Sequence, residues 1–457
     1  MASASHQSKF AKCQKNLVSS LQSLVSNLMR ILHITQRYWP AYGGAESHLA
    51  ELSHRLAAAG HAVTVLTTDA LDLETFWNPQ RRHIAQREQT HQGVRILRFP
   101  LRYLPWPGLA YPGMRRLLWL LSKARPVPVE FLHLAARFAP WCPGLWRWLA
   151  ETEEQFDLVA GMNIVFEPFM AAGLSFARRR AIPFVAFPLT HLGAGAEPGN
   201  DPPSRFYTMR HQVDVVRRSD AVAAQTDTER AFYTGRGVDP TRIHVIGAGV
   251  NPHEVVGGDG ARFRQQHALT DPLVAFLSGM AYDKGAVTLV EAVRRLWAAG
   301  RNLHLVLAGS LLSAFQHYLD RLPAADRARL LVLPSIADTD KRGLLAACDL
   351  LAMPSRVDSF GMVYLEAWLY GKPVIGAQAW GIGDVIRDGE DGLLTPFGDA
   401  EALAAAIAHL LDHPEAAQAM GACGRAKVYA QHTWAHKYAL VESLYHQLGA
   451  TAQQPFN

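Results

Sequence analysis

Residues Pro354 to Ala367 read PSRVDSFGMVYLEA. They follow LLAACDLLAM (344–353), which has the pattern of a helix end leading into a short buried strand. The chain then enters a small-residue loop at Ser359-Phe360-Gly361. A helical pattern starts after it, with Val363, Ala367 and Tyr370 at spacings of four and three. Strand, glycine turn and helix together make an anion site. The N–H groups of Gly361, Met362 and Val363 lack helical partners, and the helix dipole favours negative charge there. Asp358 precedes that helix start and Glu366 lies inside the helix. A carboxylate beside a phosphate is unfavourable unless it binds something else, and paired sugar hydroxyls fit an acceptor-only group. Two readings follow: a nucleotide-sugar site, or an ordinary βα unit with an acid placed to stabilise its helix.

The 457 residues suffice for two domains, and 49% hydrophobic with 19% charged residues is a globular balance. The net charge of +5 is compatible with a nucleotide diphosphate or an anionic membrane surface, but is no nucleic-acid footprint. Cys13, Cys142, Cys348 and Cys423 have neither metal-ligand nor redox spacing, so free thiols in a reducing, cytoplasmic compartment are expected. No apolar run reaches the ~18 residues of a transmembrane helix.

Working outward, residues 1–30 form an extension with Leu17, Leu21, Leu24, Val25 and Leu28 on one helical face, expected to be an amphipathic helix packed on the body. RILHIT (30–35) reads as a buried strand, Gly43-Gly44 opens a helix with Leu49, Leu52 and Leu56 inward, and HAVTVLTT (61–68) is the next strand. This βαβ unit implies a mostly parallel sheet over an N-terminal domain, residues 31–250. Gly43 and Gly44 admit either a ligand close to the backbone or a plain tight turn. Glu46 is explained by its place in the first helical turn. Residues 101–150 mix Tyr103, Trp106, Tyr111, Trp119, Trp141, Trp146 and Trp148 with Arg115, Arg116, Lys123, Arg125 and Arg147. That composition suits a membrane interface or lipid-bearing acceptor, and equally a helical insertion with core aromatics. His191 stands just past a strand, where ligands bind in parallel sheets. A linker is expected over 251–272. A second α/β domain follows at 273–433, with Asp283-Lys284-Gly285 before a helix. Asp338-Thr339-Asp340 reads as helix capping rather than metal binding. The last segment, 434–457, is an amphipathic helix that can return to the first domain.

Five pieces occur in a familiar order: YWPAYGGAESHLAELSHRLAAAGHAVTVLTT (38–68), DKG (283–285), PSRVDSFGMVYLEAW (354–368), GKPVIGA (371–377) and DGEDGLLTPFGD (388–399). In these the chain resembles the retaining GT-B glycosyltransferases of family 4. The resemblance implies two facing Rossmann-like domains, with a C-terminal helix crossing back. It implies transfer of a hexose from a nucleotide diphosphate sugar to a hydroxyl acceptor, which may be read as a glycan, a lipid or a small molecule. It also implies retained anomeric configuration, no cofactor and no metal. It puts Lys284 on the donor diphosphate and Glu366 on the ribose hydroxyls. Ser359, Phe360, Gly361 and the N–H groups of Met362 and Val363 would hold diphosphate and sugar, Gly43 and Gly44 would close from the other domain, and His191 and Asp358 would stand at the donor sugar.

Three departures from the family pattern stand out. Asp358 replaces a glutamate, Gly279 replaces an arginine, and Gly247-Ala248-Gly249-Val250 replaces Pro-Asn-Gly-Val. Losing one of two cations on a leaving diphosphate costs on the order of 3 kcal/mol. Arg356 is a candidate substitute. Gly279 also motivates an alternative, a weakly active or inactive sugar-nucleotide-binding scaffold of the same fold.

Overall fold

A computed structural model describes residues 28–194 and 202–453. The expected N-terminal extension lies, up to residue 27, outside the described residues, as do the last four residues of the chain. Apolar runs such as LVAGM and LVAFL are buried on both faces, as parallel strands between helix layers require.

The first sheet contains β1 (Arg30–Ile34), β2 (Ala62–Thr68), β3 (Glu88–His91), β4 (Val94–Phe99), β5 (Leu158–Met162), β6 (Phe184–Phe187), β7 (Ala221–Ala224) and β8 (Ile243–Val245). Its order is β3-β4-β2-β1-β5-β6-β7-β8, parallel except for β3 against β4. Its helices are α1 (Gly44–Ala58), α2 (Pro107–Lys123), α3 (Val129–Ala136), α4 (Pro143–Glu151), α5 (Glu167–Arg180), α6 (Arg210–Arg217) and α7 (Asp227–Thr234). The second sheet contains β9 (Leu273–Leu277), β10 (His304–Ala308), β11 (Leu330–Leu333), β12 (Leu350–Met353), β13 (Val374–Ala377) and β14 (Gly392–Thr395), ordered β11-β10-β9-β12-β13-β14 and wholly parallel. Around it stand α8 (Pro252–Val255), α9 (Gly260–Gln266), α10 (Ala286–Ala298), α11 (Asp338–Ala347), α12 (Met362–Leu369) and α13 (Pro414–Gln431), before the terminal α14 (Trp434–Gln453). Strand order reverses between β1 and β5 and between β9 and β12. Such switch points open crevices at the strands' carboxyl ends, where ligands bind.

Helix α14 crosses back to the first domain. Its Trp434, Val441, Leu444 and Tyr445 join the core of Leu49, Leu52 and Leu56. The Tyr445 hydroxyl lies 3.2 Å from Nε2 of buried His33. The two chain crossings pair with each other: the Val250 N–H donates to the His432 carbonyl, and Trp434 N–H to that of Val250, at 2.8 and 3.0 Å.

Residues 251–272 are not an open linker. They carry α8 and α9, and Val255, Phe263 and Leu269 are buried in the second domain's core. The glycines that gave the segment its loose appearance serve close packing. A Cβ on Gly258 would overlap the Arg342 carbonyl, and one on Gly260 would stand 2.8 Å from the Ala346 carbonyl carbon. Asp338 and Asp340 sit in the first turn of α11, after the cap position at Ala337, where they complement the helix dipole.

The insertion 101–150 has aromatics in the core, as one of the two expected readings has it, and an exposed outer face. Tyr103, Tyr111, Trp146 and Trp148 pack against the first domain's core. Arg115 is buried and donates to Glu167 Oε1 at 2.6 Å, tying α2 to α5. The outer surface is apolar: Trp106 is 81% and Leu109 77% exposed, with Leu117, Leu120, Phe131 and Leu134 also exposed.

Candidate active site

Loop 354–361 leaves β12 and enters α12 through Gly361, whose φ is +83°. That left-handed conformation favours glycine. A Cβ would also stand 2.5 Å from Cδ2 of Tyr364. The Tyr364 ring cannot retreat easily, because it is fully buried and its hydroxyl donates to the Met353 carbonyl at 2.6 Å. The turn thus aims the first N–H groups of α12, those of Met362 and Val363, at the cleft. Gly285, the cap of α10, has φ +81°, and a Cβ there would stand 2.7 Å from the Pro354 carbonyl carbon. This close approach brings Lys284 alongside the loop.

The interdomain cleft is about 880 Å³ and is lined by Gly43, Gly44, His191, Lys284, Asp358, Ser359, Phe360, Gly361, Met362, Val363 and Glu366. All the residues expected at the site therefore converge. Lys284 Nζ donates to Asp358 Oδ1 at 2.7 Å. Burial disfavours the Asp358 carboxylate, but the Lys284 ammonium outweighs it and holds the group below its usual range. Glu366 Oε1 accepts from Lys341 Nζ at 2.8 Å. Asp358 Oδ2 and Glu366 Oε2 are buried and have no hydrogen-bond partner among the described residues. A buried, unpaired carboxylate oxygen costs roughly 1–3 kcal/mol, so each acid is poised for a hydroxyl donor.

From the other domain, Gly44 faces open space within the cleft. Gly43 is extended, and a Cβ on it would overlap Glu46 Oε2. Glu46 does more than stabilise a helix. It folds back over the start of α1, where Gln36 Nε2 and Arg37 Nε donate to its Oε1 at 3.1 and 2.9 Å. His191 follows β6, two residues after Leu189 at φ +53°. Burial, then nearby Lys284, pushes its imidazole down to about 3, so it stays neutral. The Tyr207 hydroxyl lies 2.6 Å from His191 Nε2. The preceding Thr190 N–H donates at 2.6 Å to Glu229 Oε1, whose carboxyl burial pushes up to about 7.

Sequence reasoning missed Lys341 and Tyr207. Lys341 carried a signal, since a cation in a helix's first turn opposes the dipole and calls for a nearby acid. Tyr207 carried none. Arg356, the candidate substitute for the arginine absent at Gly279, donates through Nε and Nη2 to Asp283 Oδ1 at 2.9 and 2.6 Å and is not among the residues that line the cleft. Gly279 does line the cleft, with open space where a side chain would stand.

A second cavity of about 860 Å³ meets the first at Gly43, Gly44, His191 and Lys284. Its walls include Tyr111, Arg116 and Trp119 of α2, together with Arg205 and Phe206. It is aromatic and basic, and the inner side of α2 forms part of it.

Comparison with known proteins places this geometry. The family model for the glycosyl transferase 4-like domain matches residues 43–249, and that for glycosyl transferases group 1 matches 259–427. The chain is 31% identical over 250 residues to a D-inositol 3-phosphate glycosyltransferase of Corynebacterium glutamicum, covering 51% of this chain and 59% of the relative. It is also 31% identical over 219 residues to a GDP-mannose-dependent monoacylated alpha-(1-6)-phosphatidylinositol monomannoside mannosyltransferase of that species, covering 45% and 56%. The chain thus spans somewhat over half the length of these curated relatives. Among solved structures, Anabaena HepE in complex with UDP and glucose is similar with a TM-score of 0.64 at 20% identity, over 91% of this chain and 99% of that one. Sucrose-phosphate synthase from Thermosynechococcus elongatus is similar with a TM-score of 0.67 at 21% identity, over 92% and 100%. With a family model on each half and the two-sheet fold shared with these enzymes, the chain belongs to the group 1, family 4-like glycosyltransferases of GT-B fold.

Proposed function

We propose that the protein transfers a hexosyl group from a nucleotide diphosphate sugar to a hydroxyl acceptor, with retention of anomeric configuration and without a metal ion. One observation carries this reading. Two carboxylates, each tied to a lysine through one oxygen and with the other oxygen buried and unpaired, flank the open N-terminus of α12 in the cleft. Lys284 and the N–H groups of Met362 and Val363 take the diphosphate, whose charge grows as it leaves. Glu366 Oε2 accepts from the ribose hydroxyls and Asp358 Oδ2 from the donor sugar. Neutral His191, oriented by Tyr207, supplies a hydrogen bond beside the anomeric carbon without adding charge.

The acceptor enters through the second cavity. Its oxygen forms the new bond to the anomeric carbon on the face that the phosphate leaves, and its proton passes to the departing phosphate oxygen. Closure of the two domains keeps water from the donor. An amphiphilic acceptor, lipid-linked or with an aromatic-binding glycan, fits walls of Tyr111, Trp119 and Arg116. The exposed apolar face of α2 and α3, with Arg102, Arg116, Lys123 and Arg125 around it, would rest on an anionic membrane surface.

The test is turnover with UDP-, GDP- and ADP-sugars in chelator, with the product's anomeric proton read by NMR. Turnover of one donor with an unchanged anomeric configuration is expected. Inversion overturns the stereochemical reading. Donor binding without turnover or hydrolysis favours the inactive scaffold that the gap at Gly279 would explain.

A further inference from the structure

A separate cavity of about 600 Å³ lies at the hinge, on the far side of the donor loop. Gln225 and Phe360 line both it and the donor cleft, so they form the wall between the two. Its lining includes His432 and Lys437 at the junction of α13 and α14, with Lys427 and Arg387.

Lys437 is the unusual group. It is only 6% exposed; its backbone N–H donates to the Thr433 carbonyl, and its ammonium has no hydrogen-bond or ion-pair partner among the described residues. Its neighbours include buried His48 and His432, whose imidazoles burial pushes down to about 4, with Lys437 adding to the effect. Burial alone lowers the Lys437 ammonium to about 8. Of the acids near the cavity, two are paired with cations and one, Asp384, is held by a backbone N–H. Asp384 accepts from the Thr228 N–H at 2.7 Å, Asp227 pairs with Arg230, and Asp391 Oδ2 pairs with Lys427 and Arg387. A second unpaired donor, Gln225 Nε2, is buried in the cavity wall.

The backbone is shaped around this lysine. Gly247 has φ +73°, which no proline can adopt, and a Cβ there would stand 3.2 Å from Lys437 Nζ. A Cβ on Gly249 would stand 3.0 Å from Lys437 Cγ. Gly249 is shared with the family pattern Pro-Asn-Gly-Val, so it is the departure at Gly247 that leaves room for the Lys437 ammonium. A buried cation kept without a counter-charge is costly, and an anion that enters the cavity removes that cost.

We propose that this hinge cavity binds a small phosphate monoester of hexose size, with the Lys437 ammonium on its phosphate and the unpaired Gln225 Nε2 donating beside it. The volume lies within the usual range for small-molecule sites. The ligand would touch the N-terminal domain at Gln225 and the C-terminal domain at Phe360, so its occupancy reports on, and biases, the hinge and the donor loop. The site goes beyond the proposed transfer reaction and does not depend on it.

The test is calorimetric titration of glucose 6-phosphate, with inorganic phosphate in parallel, into the full chain and its Lys437→Met and Lys284→Met variants. Saturable binding is expected in the unaltered protein and in Lys284→Met, at least tenfold weaker in Lys437→Met. No saturable binding, equal affinity in Lys437→Met, or loss in Lys284→Met would overturn the assignment, the last by placing the anion in the donor cleft. A second measurement needs no variant. In amine acylation read by mass spectrometry, glucose 6-phosphate should protect Lys437 and leave Lys284 labelled; an unprotected Lys437 contradicts the site.

Discussion

Replacing Gly361 by alanine tests how the donor loop is built. The added Cβ meets two obstacles. At φ +83° an L-residue pays roughly 1–2 kcal/mol for the left-handed conformation. The Cβ also stands 2.5 Å from Cδ2 of Tyr364, so the ring must move and loosen its 2.6 Å bond to the Met353 carbonyl. Leaving that buried acceptor unsatisfied costs about 1–3 kcal/mol. The sum, ~2–5 kcal/mol, corresponds to roughly 5–15 °C in the melting temperature of a domain of this size. Calorimetric melting, followed by titration with the preferred nucleoside diphosphate, reads both consequences. The second-domain transition should fall by that amount, and affinity should drop at least tenfold as the N–H groups of Met362 and Val363 are re-aimed. Gly279→Ala is the control, since a Cβ there meets nothing within 4 Å. A Gly361→Ala protein with unaltered melting and affinity would refute the reasoning.

Two further predictions concern α2. Arg115→Met strands the buried Glu167 with His211, 3.0 Å away, and should cost ~3–5 kcal/mol. In the unaltered protein burial raises the Glu167 carboxyl but Arg115 outweighs it, so the folded value lies below the ordinary one of 4.5. That contribution is present above the unfolded value and lost as pH falls through the folded one. Without Arg115 burial dominates, the folded value rises, and stability should instead fall as pH climbs from 4.5; parallel urea-midpoint profiles against pH would contradict this. On the outer face, Leu117→Glu with Leu120→Glu should abolish flotation with vesicles rich in anionic phospholipid while leaving melting unchanged, and undiminished flotation would exclude α2 as the membrane contact.

Much of the donor side was legible in the sequence because its chemistry is local. The β12–loop–α12 unit needs Gly361 within one turn, and Asp358 and Glu366 are fixed to it by short spacing. Lys284 was legible only through the family resemblance, since its place beside the loop depends on the long-range approach of Gly285 to the Pro354 carbonyl. What escaped depends on long-range approach. Lys341 reaches Glu366 from another helix, Tyr207 meets His191 across a loop, and Arg356 turns to Asp283 rather than into the cleft. Residues 251–272 misled because glycines packed tightly on α11 have the same composition as a loose linker. The aromatic insertion could not be assigned from composition, since alternate faces of α2 serve the core and the surface.

The central claim is that Glu366 Oε2 awaits the ribose hydroxyls of a donor nucleotide. The most direct measurement is a two-by-two calorimetric cycle, pairing the unaltered protein and Glu366→Ala with the nucleoside diphosphate that binds and with its 2′,3′-dideoxy analogue. A hydrogen bond to a charged group contributes about 1.5–3 kcal/mol, so the unaltered protein should prefer the ribose form by roughly tenfold or more. Glu366→Ala should bind both forms alike. The same preference in both proteins would contradict the account.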